Sequence, residues 1–240
     1  MSKPRRVLFV TVGMTALNAT NLGAHVEGAA DLREEAAAFL GGTDPAPDFF
    51  QRVLEAHQAF WRSGLPVREN RFATSAEMAS SWYFLRVQAS ERSMGPERDR
   101  IVLFEPGRDR IVLLASDTAQ GKFCARVNES LMKEYLFSRP CTDSESTCME
   151  VIKGLEAKEH GFACQIVDSI EEIWSRHTAA GETIVNITGG FKGTLPALTW
   201  RCERTENCSM FYTHDSMDRA ETITFFKERP PQYAERPIII

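Results

Sequence analysis

Short apolar runs, each ended by a polar turn, recur along the chain. Four of them are largely continuous rather than alternating: Arg6–Val10, Arg110–Ala115, Met149–Ile152 and Thr183–Ile187. Continuous apolar runs of this length are typical of strands that are buried on both faces of a parallel sheet. The runs Ser209–Thr213 and Glu221–Phe226 alternate instead, and the polar turn Asp215–Arg219 between them predicts an antiparallel hairpin.

Longer amphipathic segments separate these runs. They predict helices at Asp31–Leu40, at Asp48–Arg62, from Ser75 to Leu85, from the turn after Ala115 to about Leu136, at Val167–His177 and from Leu195 onward. Asp48 and Ser75 are the expected N-caps of two of these helices. One more apolar stretch, Ile101–Phe104, predicts a strand that turns at Glu105–Asp109 into a hairpin. Strands that alternate with helices indicate an α/β three-layer sandwich.

Composition restricts the class of protein further. The chain has 240 residues, of which 43% are hydrophobic and 25% charged, and its net charge is -5. A chain of this size and composition can bury a sizeable core as a globular protein. Because the net charge is negative, no general basic field attracts long nucleic acids, and any anion site must be local.

The cysteines and the N-terminus indicate a reducing compartment. The six cysteines contain no Cys-x-x-Cys pair, so reduced structural thiols are expected, with no metal and no cofactor. The N-terminal residues lead directly into a strand that is too short for a signal peptide or a membrane span. A cytoplasmic protein without a membrane partner is expected.

The stretch from Thr188 to Pro196 carries the strongest candidate chemistry. Gly189 and Gly190 break the chain between a strand and a helix, so a ligand can approach the backbone and the helix N-terminus closely. Lys192 adds a positive charge where the helix dipole disfavours one, unless an anion compensates it. The pattern therefore predicts a phosphate site. The alternative is a plain strand-to-helix turn with a solvated lysine, because neither a Walker loop nor a Gly-x-Gly-x-x-Gly fingerprint is present.

Two further polar turns follow predicted parallel strands. The first turn, Thr11–Asn18, follows the first strand, and a third turn, Ser116–Gly121, follows Arg110–Ala115. Ligands of open α/β sheets bind at the carboxyl ends of the strands, where these turns are expected. Simple connecting turns remain the alternative.

Thr11–Leu17 and Asn186–Lys192 together resemble the motifs of CARF domains, the CRISPR-associated Rossmann fold. Ser75–Glu77, Ser116–Thr118 and Ile152–Leu155 resemble further signatures of one CARF subfamily. The resemblance spans Arg6 to Phe226 and implies a Rossmann-like three-layer sandwich, with a mostly parallel sheet and a C-terminal antiparallel hairpin. It implies a CARF domain at residues 1–230 and a tail at 231–240. Many relatives carry Thr-Ser where this chain has Met14-Thr15, so the hydroxyl at position 14 is missing.

The resemblance also implies a function. CARF domains form homodimers that bind cyclic oligoadenylates made by type III CRISPR complexes, and here cyclic tetra-adenylate is favoured over hexa-adenylate. Because no effector domain is expected after Phe226, the chain resembles the metal-independent ring nucleases. Its catalytic residues are then Lys192, Thr11 and Thr15. The implied ligand-binding residues are Val12, Gly13, Met14, Asn186, Thr188, Gly189, Gly190, Phe191, Lys192, Gly193, Ser116, Asp117 and Thr118.

Two other functions fit parts of the same pattern. A sensor that binds the ring without cleaving it would carry the same motifs. A Rossmann-like enzyme for a mononucleotide is disfavoured, since Glu34 and Glu35, at about the usual distance for a ribose-binding acid, lie inside a predicted helix.

The sequence disfavours catalysis by a histidine. Arg52 and His57 match the Arg-x4-His spacing of HEPN ribonucleases, but they fall in a predicted crossover helix and are assigned a structural role. The remaining histidines show no metal-ligand spacing and are assigned to the surface: His25, His160, His177 and His214.

Overall fold

A six-stranded sheet forms the centre of the protein. The computed structural model describes residues 3–18, 22, 29–64, 74–92, 103–143, 145–154, 162–190, 192–213 and 221–225. Its strands are β1 (Arg6–Thr11), β2 (Asp109–Ser116), β3 (Thr147–Ile152), β4 (Glu182–Asn186), β5 (Cys208–Tyr212) and β6 (Glu221–Phe225). Its helices are α1 (Ala29–Leu40), α2 (Phe49–Arg62), α3 (Ala76–Arg92), α4 (Ala119–Tyr135), α5 (Phe162–Arg176) and α6 (Leu195–Arg204). Short 3₁₀ turns occupy Thr15–Leu17 and Lys192–Thr194.

The strand order is β3-β2-β1-β4-β5-β6, and the first five of these strands are parallel. This sheet, flanked by helices, confirms the predicted α/β class. β6 pairs antiparallel with β5. The turn Asp215–Arg219 of the predicted hairpin lies outside the described residues, and so does the boundary at residue 230, so the hairpin as a whole and the domain limits stay predictions.

Alternate residues of β1 face two separate hydrophobic cores, because successive side chains of a strand point to opposite faces. Leu8 and Val10 belong to the core under α1 to α4, whereas Val7 and Phe9 belong to the core under α5 and α6. The ring of Phe9 stacks on Trp174 with 4.6 Å between centroids. Each fully buried side chain of this kind contributes roughly 1.5–3 kcal/mol to folding. The three layers therefore follow from the pattern of the central strand.

A cluster of three charged residues around buried Asp109 lies at the amino ends of the strands. Asp109, which is inaccessible to solvent, accepts hydrogen bonds from Arg6 Nη2 at 2.5 Å and from Arg5 Nη2 at 3.0 Å. Burial acts to raise the pKa of Asp109, but the hydrogen bonds from Arg6 and Arg5 outweigh it and hold that pKa below its usual value. The cluster links β1 to β2 at the amino ends of the strands, opposite to the turns that follow their carboxyl ends.

Two local predictions are wrong. The hairpin expected from Ile101–Phe104 does not form, because both edges of β2 are occupied by β1 and β3, and Phe104 makes an isolated bridge to Phe137. Asp48 precedes α2, but its side chain makes no capping hydrogen bond and instead pairs with Arg52 at 3.1 Å. Residues 101 and 102 lie outside the described part.

Other local predictions are confirmed. Ser75 caps α3, since its hydroxyl accepts a hydrogen bond from the backbone N–H of Met78 at 3.2 Å. All six cysteines are free thiols, as predicted.

Of the helices in the described ranges, none combines the length and the apolar composition that a bilayer crossing requires.

Candidate functional site

The first and second motif turns leave the sheet at its topological switch point. β1 ends at Thr11 and β4 ends at Asn186, and the two strands are parallel neighbours. From β1 the chain builds outward to β2 and β3 on one side, and from β4 it continues to β5 on the other. Ligands of open α/β sheets bind in the crevice at such a reversal. The second turn is defined here as residues 187–193.

The two turns lie so close together that side chains would not fit between them at the points of contact. Gly190 has a φ of 85°, and a Cβ there would lie 2.6 Å from the Cβ of Thr11. A Cβ on Gly13 would lie 2.8 Å from the backbone nitrogen of Gly190. The hydroxyl of Thr11 donates to the carbonyl oxygen of Gly189 at 2.5 Å and to that of Asn186 at 3.1 Å. Glycine is therefore required on both sides of this junction.

A carboxyl that the motif analysis did not assign to the site lies directly beneath the junction. Glu77, in the first turn of α3, is 0% exposed. Its Oε1 accepts a hydrogen bond from the N–H of Gly13 at 2.8 Å, and its Oε2 accepts one from the hydroxyl of Thr15. A Cβ on Gly189 would overlap Oε1 of the same carboxyl. One side chain from α3 thus contacts both turns.

Burial dominates the electrostatics of Glu77. It raises the pKa of this carboxyl above its usual value, although the hydrogen bonds from Thr15 and Gly13 act to lower it. Among the described residues, no cationic side chain contributes to that balance. In the sequence, Glu77 is visible only as part of the signature Ser75–Glu77, because nothing local shows that a glutamate on a helix is fully buried.

The structure places two of the predicted ligand-binding residues in the interior of the protein. Asn186 is 0% exposed, and its Nδ2 donates to Ser80 Oγ at 2.8 Å and to Ser81 Oγ at 2.9 Å. Its Oδ1 accepts from the N–H of Thr188 at 2.9 Å, so it anchors the second turn to α3. The side chain of Val12 lies in the core beside Leu8 and Val10.

The more accessible residues surround the junction. Met14 is 39% exposed at the tip of the first turn. Lys192 and Gly193 are exposed as well, and the Lys192 ammonium lies 5.5 Å from the centroid of the Tyr212 ring. Lys192 lies in the 3₁₀ turn directly before α6, and α6 begins at Leu195 as predicted. Phe191 lies outside the described residues.

The third turn lies beside the first, because β2 neighbours β1. Thr118 caps α4 by accepting a hydrogen bond from the N–H of Gly121 at 3.0 Å, and it contacts Ser116 Oγ at 2.8 Å. These hydroxyls therefore serve the turn itself. Oδ1 of Asp117 is a buried atom for which no hydrogen-bond partner is found in the described part of the chain. Such a group is rare in native proteins.

Arg52 and His57 occupy structural positions. His57 is fully buried, and its Nε2 donates to the carbonyl oxygen of Ala16 at 3.0 Å, which supports the first turn from below. Burial lowers the pKa of His57 and outweighs the hydrogen bond to Ala16, so the neutral ring is favoured. Arg52 pairs with Glu35 and Asp48. This arrangement supports the structural assignment over a ribonuclease site.

A second cluster of reactive residue types lies between β3 and the end of α5. His177 is 8% exposed, so its assignment to the surface is wrong. Its Nε2 lies 2.6 Å from Glu150 Oε1, and Cys148 is near enough that the three ligand atoms lie within 4.8 Å of one another. Arg110 donates to Nδ1 of His177 at 3.3 Å, which fixes the proton on Nε2, because a guanidinium can only donate. Arg176 pairs with the other oxygen of Glu150 at 2.8 Å. Both arginines oppose a cation, and the cluster is best described as an ion-pair network.

Comparison with known proteins adds one match. The model of a family described as CRISPR-associated protein (Cas_APE2256) matches residues 73–224, which is more than half of the chain. The matched span begins just before α3 and includes Glu77, the second turn and the third turn, whereas β1 and the first turn precede it. No curated protein matches the sequence.

Proposed function

The chain belongs to the CRISPR-associated protein family Cas_APE2256, and from this premise we propose that it is a CARF domain that binds and cleaves cyclic oligoadenylate. The family supports a role in CRISPR defence. The observation that carries the finer proposal is the direct contact of the two glycine turns, Gly13 against Gly190, at the switch point of a Rossmann-ordered sheet.

The junction suits an anion of this kind. Backbone N–H groups in tight turns form concave sites for phosphate oxygens, and the absence of side chains at Gly13, Gly189 and Gly190 lets a phosphate approach closely. Lys192, which is exposed beside the second turn, supplies a charge-assisted hydrogen bond. The net charge of -5 makes such a local cation necessary for an anionic ligand.

A homodimer completes the site. One subunit offers one pair of turns, and a ring of phosphates with two-fold symmetry needs a second pair related by the same symmetry. The proposed assembly is therefore a dimer whose axis passes between the two junctions. Light scattering that gives the mass of a monomer, both with and without cyclic tetra-adenylate, would contradict it.

Cleavage requires only positioning and a cation. The 2′-oxygen of one ribose attacks its own 3′-phosphate, and the bond from phosphorus to the 5′-oxygen of the next nucleotide breaks. The 2′-hydroxyl loses a proton and the 5′-oxygen gains one, which leaves a linear chain ending in a 2′,3′-cyclic phosphate. Lys192 stabilises the charge that develops on the phosphoryl oxygens, and the turns hold the attacking oxygen in line.

A sensor that binds the ring intact is the second candidate, and the hydroxyls favour it. Thr11 donates to Gly189 and Thr15 donates to Glu77, so both predicted catalytic hydroxyls are engaged inside the protein. A site whose hydroxyls are engaged in this way can bind an anion without activating a nucleophile.

Incubation with each labelled ring distinguishes a nuclease from a sensor. The pure protein is mixed at stoichiometric amounts with cyclic tetra-adenylate or hexa-adenylate, in EDTA and in magnesium, and the products are resolved by chromatography. Linear fragments with 2′,3′-cyclic phosphate ends in both buffers are expected. An intact ring that still binds identifies the sensor, and failure of both rings to bind overturns the proposed function.

A further inference from the structure

We propose that Met14 is a specificity-determining residue of the site: its side chain packs against an adenine base of the ligand, while the phosphates are held on the side of Lys192. This inference rests on the proposed binding of cyclic oligoadenylate. It adds which part of that ligand each of the two turns recognises.

Met14 carries the one exposed side chain of the first turn between Thr11 and Leu17. The structure describes this whole stretch, and its other side chains are buried or half-buried. Met14 is 39% exposed, and the other exposed large apolar side chains of the described residues lie on helices: Leu40, Val167 and Trp200. Because the removal of apolar surface from water is favourable, an apolar part of a ligand that covers Met14 gains affinity.

The backbone on both sides of Met14 is held at the junction. An added Cβ on Gly13 would lie 2.8 Å from the backbone nitrogen of Gly190, and the N–H of Gly13 donates to Oε1 of Glu77 at 2.8 Å. The carbonyl oxygen of Met14 accepts from the N–H of Leu17 at 2.9 Å, which closes the 3₁₀ turn. The side chain of Met14 is therefore presented to solvent from a fixed position beside the second turn.

The two turns offer different chemistry to a ligand. The first turn, Thr11–Asn18, contains no charged residue, whereas the second turn contains one, Lys192, which is exposed. A phosphate is held by cations and by N–H or O–H donors. The thioether of Met14 supplies neither, since its sulfur is only a weak acceptor. The exposed part of the first turn thus suits the apolar part of a nucleotide, and the second turn suits its phosphate.

The adenine base is the apolar part of the proposed ligand. A methionine side chain is flexible and polarizable, and its sulfur makes favourable contacts with aromatic rings, each of which changes affinity by up to about tenfold. A purine presents a larger flat face than a pyrimidine does. Met14 should therefore favour adenine over uracil when both are carried on the same ring of phosphates.

Two rings of the size that the wild type binds, one of adenylate and one of uridylate, test the inference because they share one phosphate skeleton. Calorimetry measures their affinities, and where a ring is cleaved the values of kcat/KM are compared instead. The wild type should prefer the adenylate ring. Met14→Ala should weaken that ring between about threefold and a hundredfold, because the dimer loses one sulfur–aromatic contact per subunit. The same change should affect the uridylate ring less.

Three further variants serve as controls. Met14→Leu keeps an apolar side chain of similar size and should keep the preference for adenylate, whereas Met14→Ser should lose it. Val167→Ala removes a side chain that is 42% exposed on α5, outside the three turns, and should leave the affinity for both rings unchanged. Urea unfolding should give every Met14 variant the midpoint of the wild type, since the side chain is exposed.

The outcomes separate this inference from the proposed function. If the wild type binds no ring, the proposed function fails and this inference fails with it. If the wild type binds but shows no preference for adenylate, or if Met14→Ala changes the affinity for both rings by the same factor, only the inference is wrong. Light scattering that shows Met14→Ala to be a monomer where the wild type is a dimer would place Met14 in a contact between subunits, which also overturns the inference.

Discussion

The ammonium of Lys192 lies 5.5 Å from the centroid of the Tyr212 ring, so the cation of the second turn rests on the last residue of β5. A cation over an aromatic face is attracted by the ring quadrupole. The contact brings a third strand into the candidate site, next to β1 and β4. It also limits the positions that an otherwise exposed lysine adopts.

Lys192→Ala should weaken the binding of cyclic tetra-adenylate and slow its cleavage. Each subunit loses one charge-assisted hydrogen bond, worth roughly 1.5–3 kcal/mol. The cleavage rate should fall by roughly 10²–10³, as for other single donors that stabilise a transition state. Calorimetry and product chromatography measure the two effects. Lys122→Ala, an exposed lysine of α4, is the matched control, and unchanged affinity in Lys192→Ala would remove that residue from the site.

Changes at Tyr212 should follow the strength of the cation–π contact. Tyr212→Phe keeps an aromatic face and should bind the ring nearly as well as the wild type, whereas Tyr212→Leu removes it. The expected loss for Tyr212→Leu is about 0.5–1 kcal/mol, the range for exposed contacts of this kind. Binding is measured in the wild-type and in the Lys192→Ala backgrounds. Equal losses in both backgrounds would mean that Tyr212 acts independently of Lys192.

Gly190→Ala should destabilise the protein more than the same change at a free glycine. Gly190 has a φ of 85°, and an added Cβ meets Thr11. Gly42 has a φ of 97°, but nothing lies within 4 Å of its added Cβ, so Gly42→Ala reports the backbone strain alone. Overpacking costs typically about 1–3 kcal/mol. Urea unfolding of the two variants should differ by that amount, and equal stabilities would show that the junction is not closely packed.

Acid should remove the stabilisation that Asp109 provides. The folded pKa of this carboxyl is lowered, so its contribution is present above its unfolded pKa and is lost as the pH falls through the folded value. Asp109→Asn should cost roughly 3–5 kcal/mol at neutral pH, because it leaves buried Arg6 with a neutral partner. Its stability should then change less between neutral and acid pH than that of the wild type. The exposed Asp44→Asn should behave as the wild type.

Residue patterns predicted the site only where local chemistry decides the structure. The glycines of the second turn and the strands around them follow from conformational freedom and apolar runs, and both are present. The burial of Glu77 could not be predicted, and His177 was wrongly assigned to the surface, because the burial of both depends on elements distant in sequence. The interior position of Asn186 could not be predicted either, since an amide after a strand gives no sign that Ser80 and Ser81 accept its hydrogen bonds.

The hydrogen bond from Thr11 to Asn186 spans 175 residues of sequence. Contacts of such long range form late in folding, because much of the chain has to be ordered before they contribute. During synthesis the first turn leaves the ribosome long before the second turn has been made. The junction of the two turns is complete only once β4 has paired with β1. Under the proposed function, a bound anion would therefore report that the central sheet has closed, and a nascent chain that stops before Glu182 should not bind one.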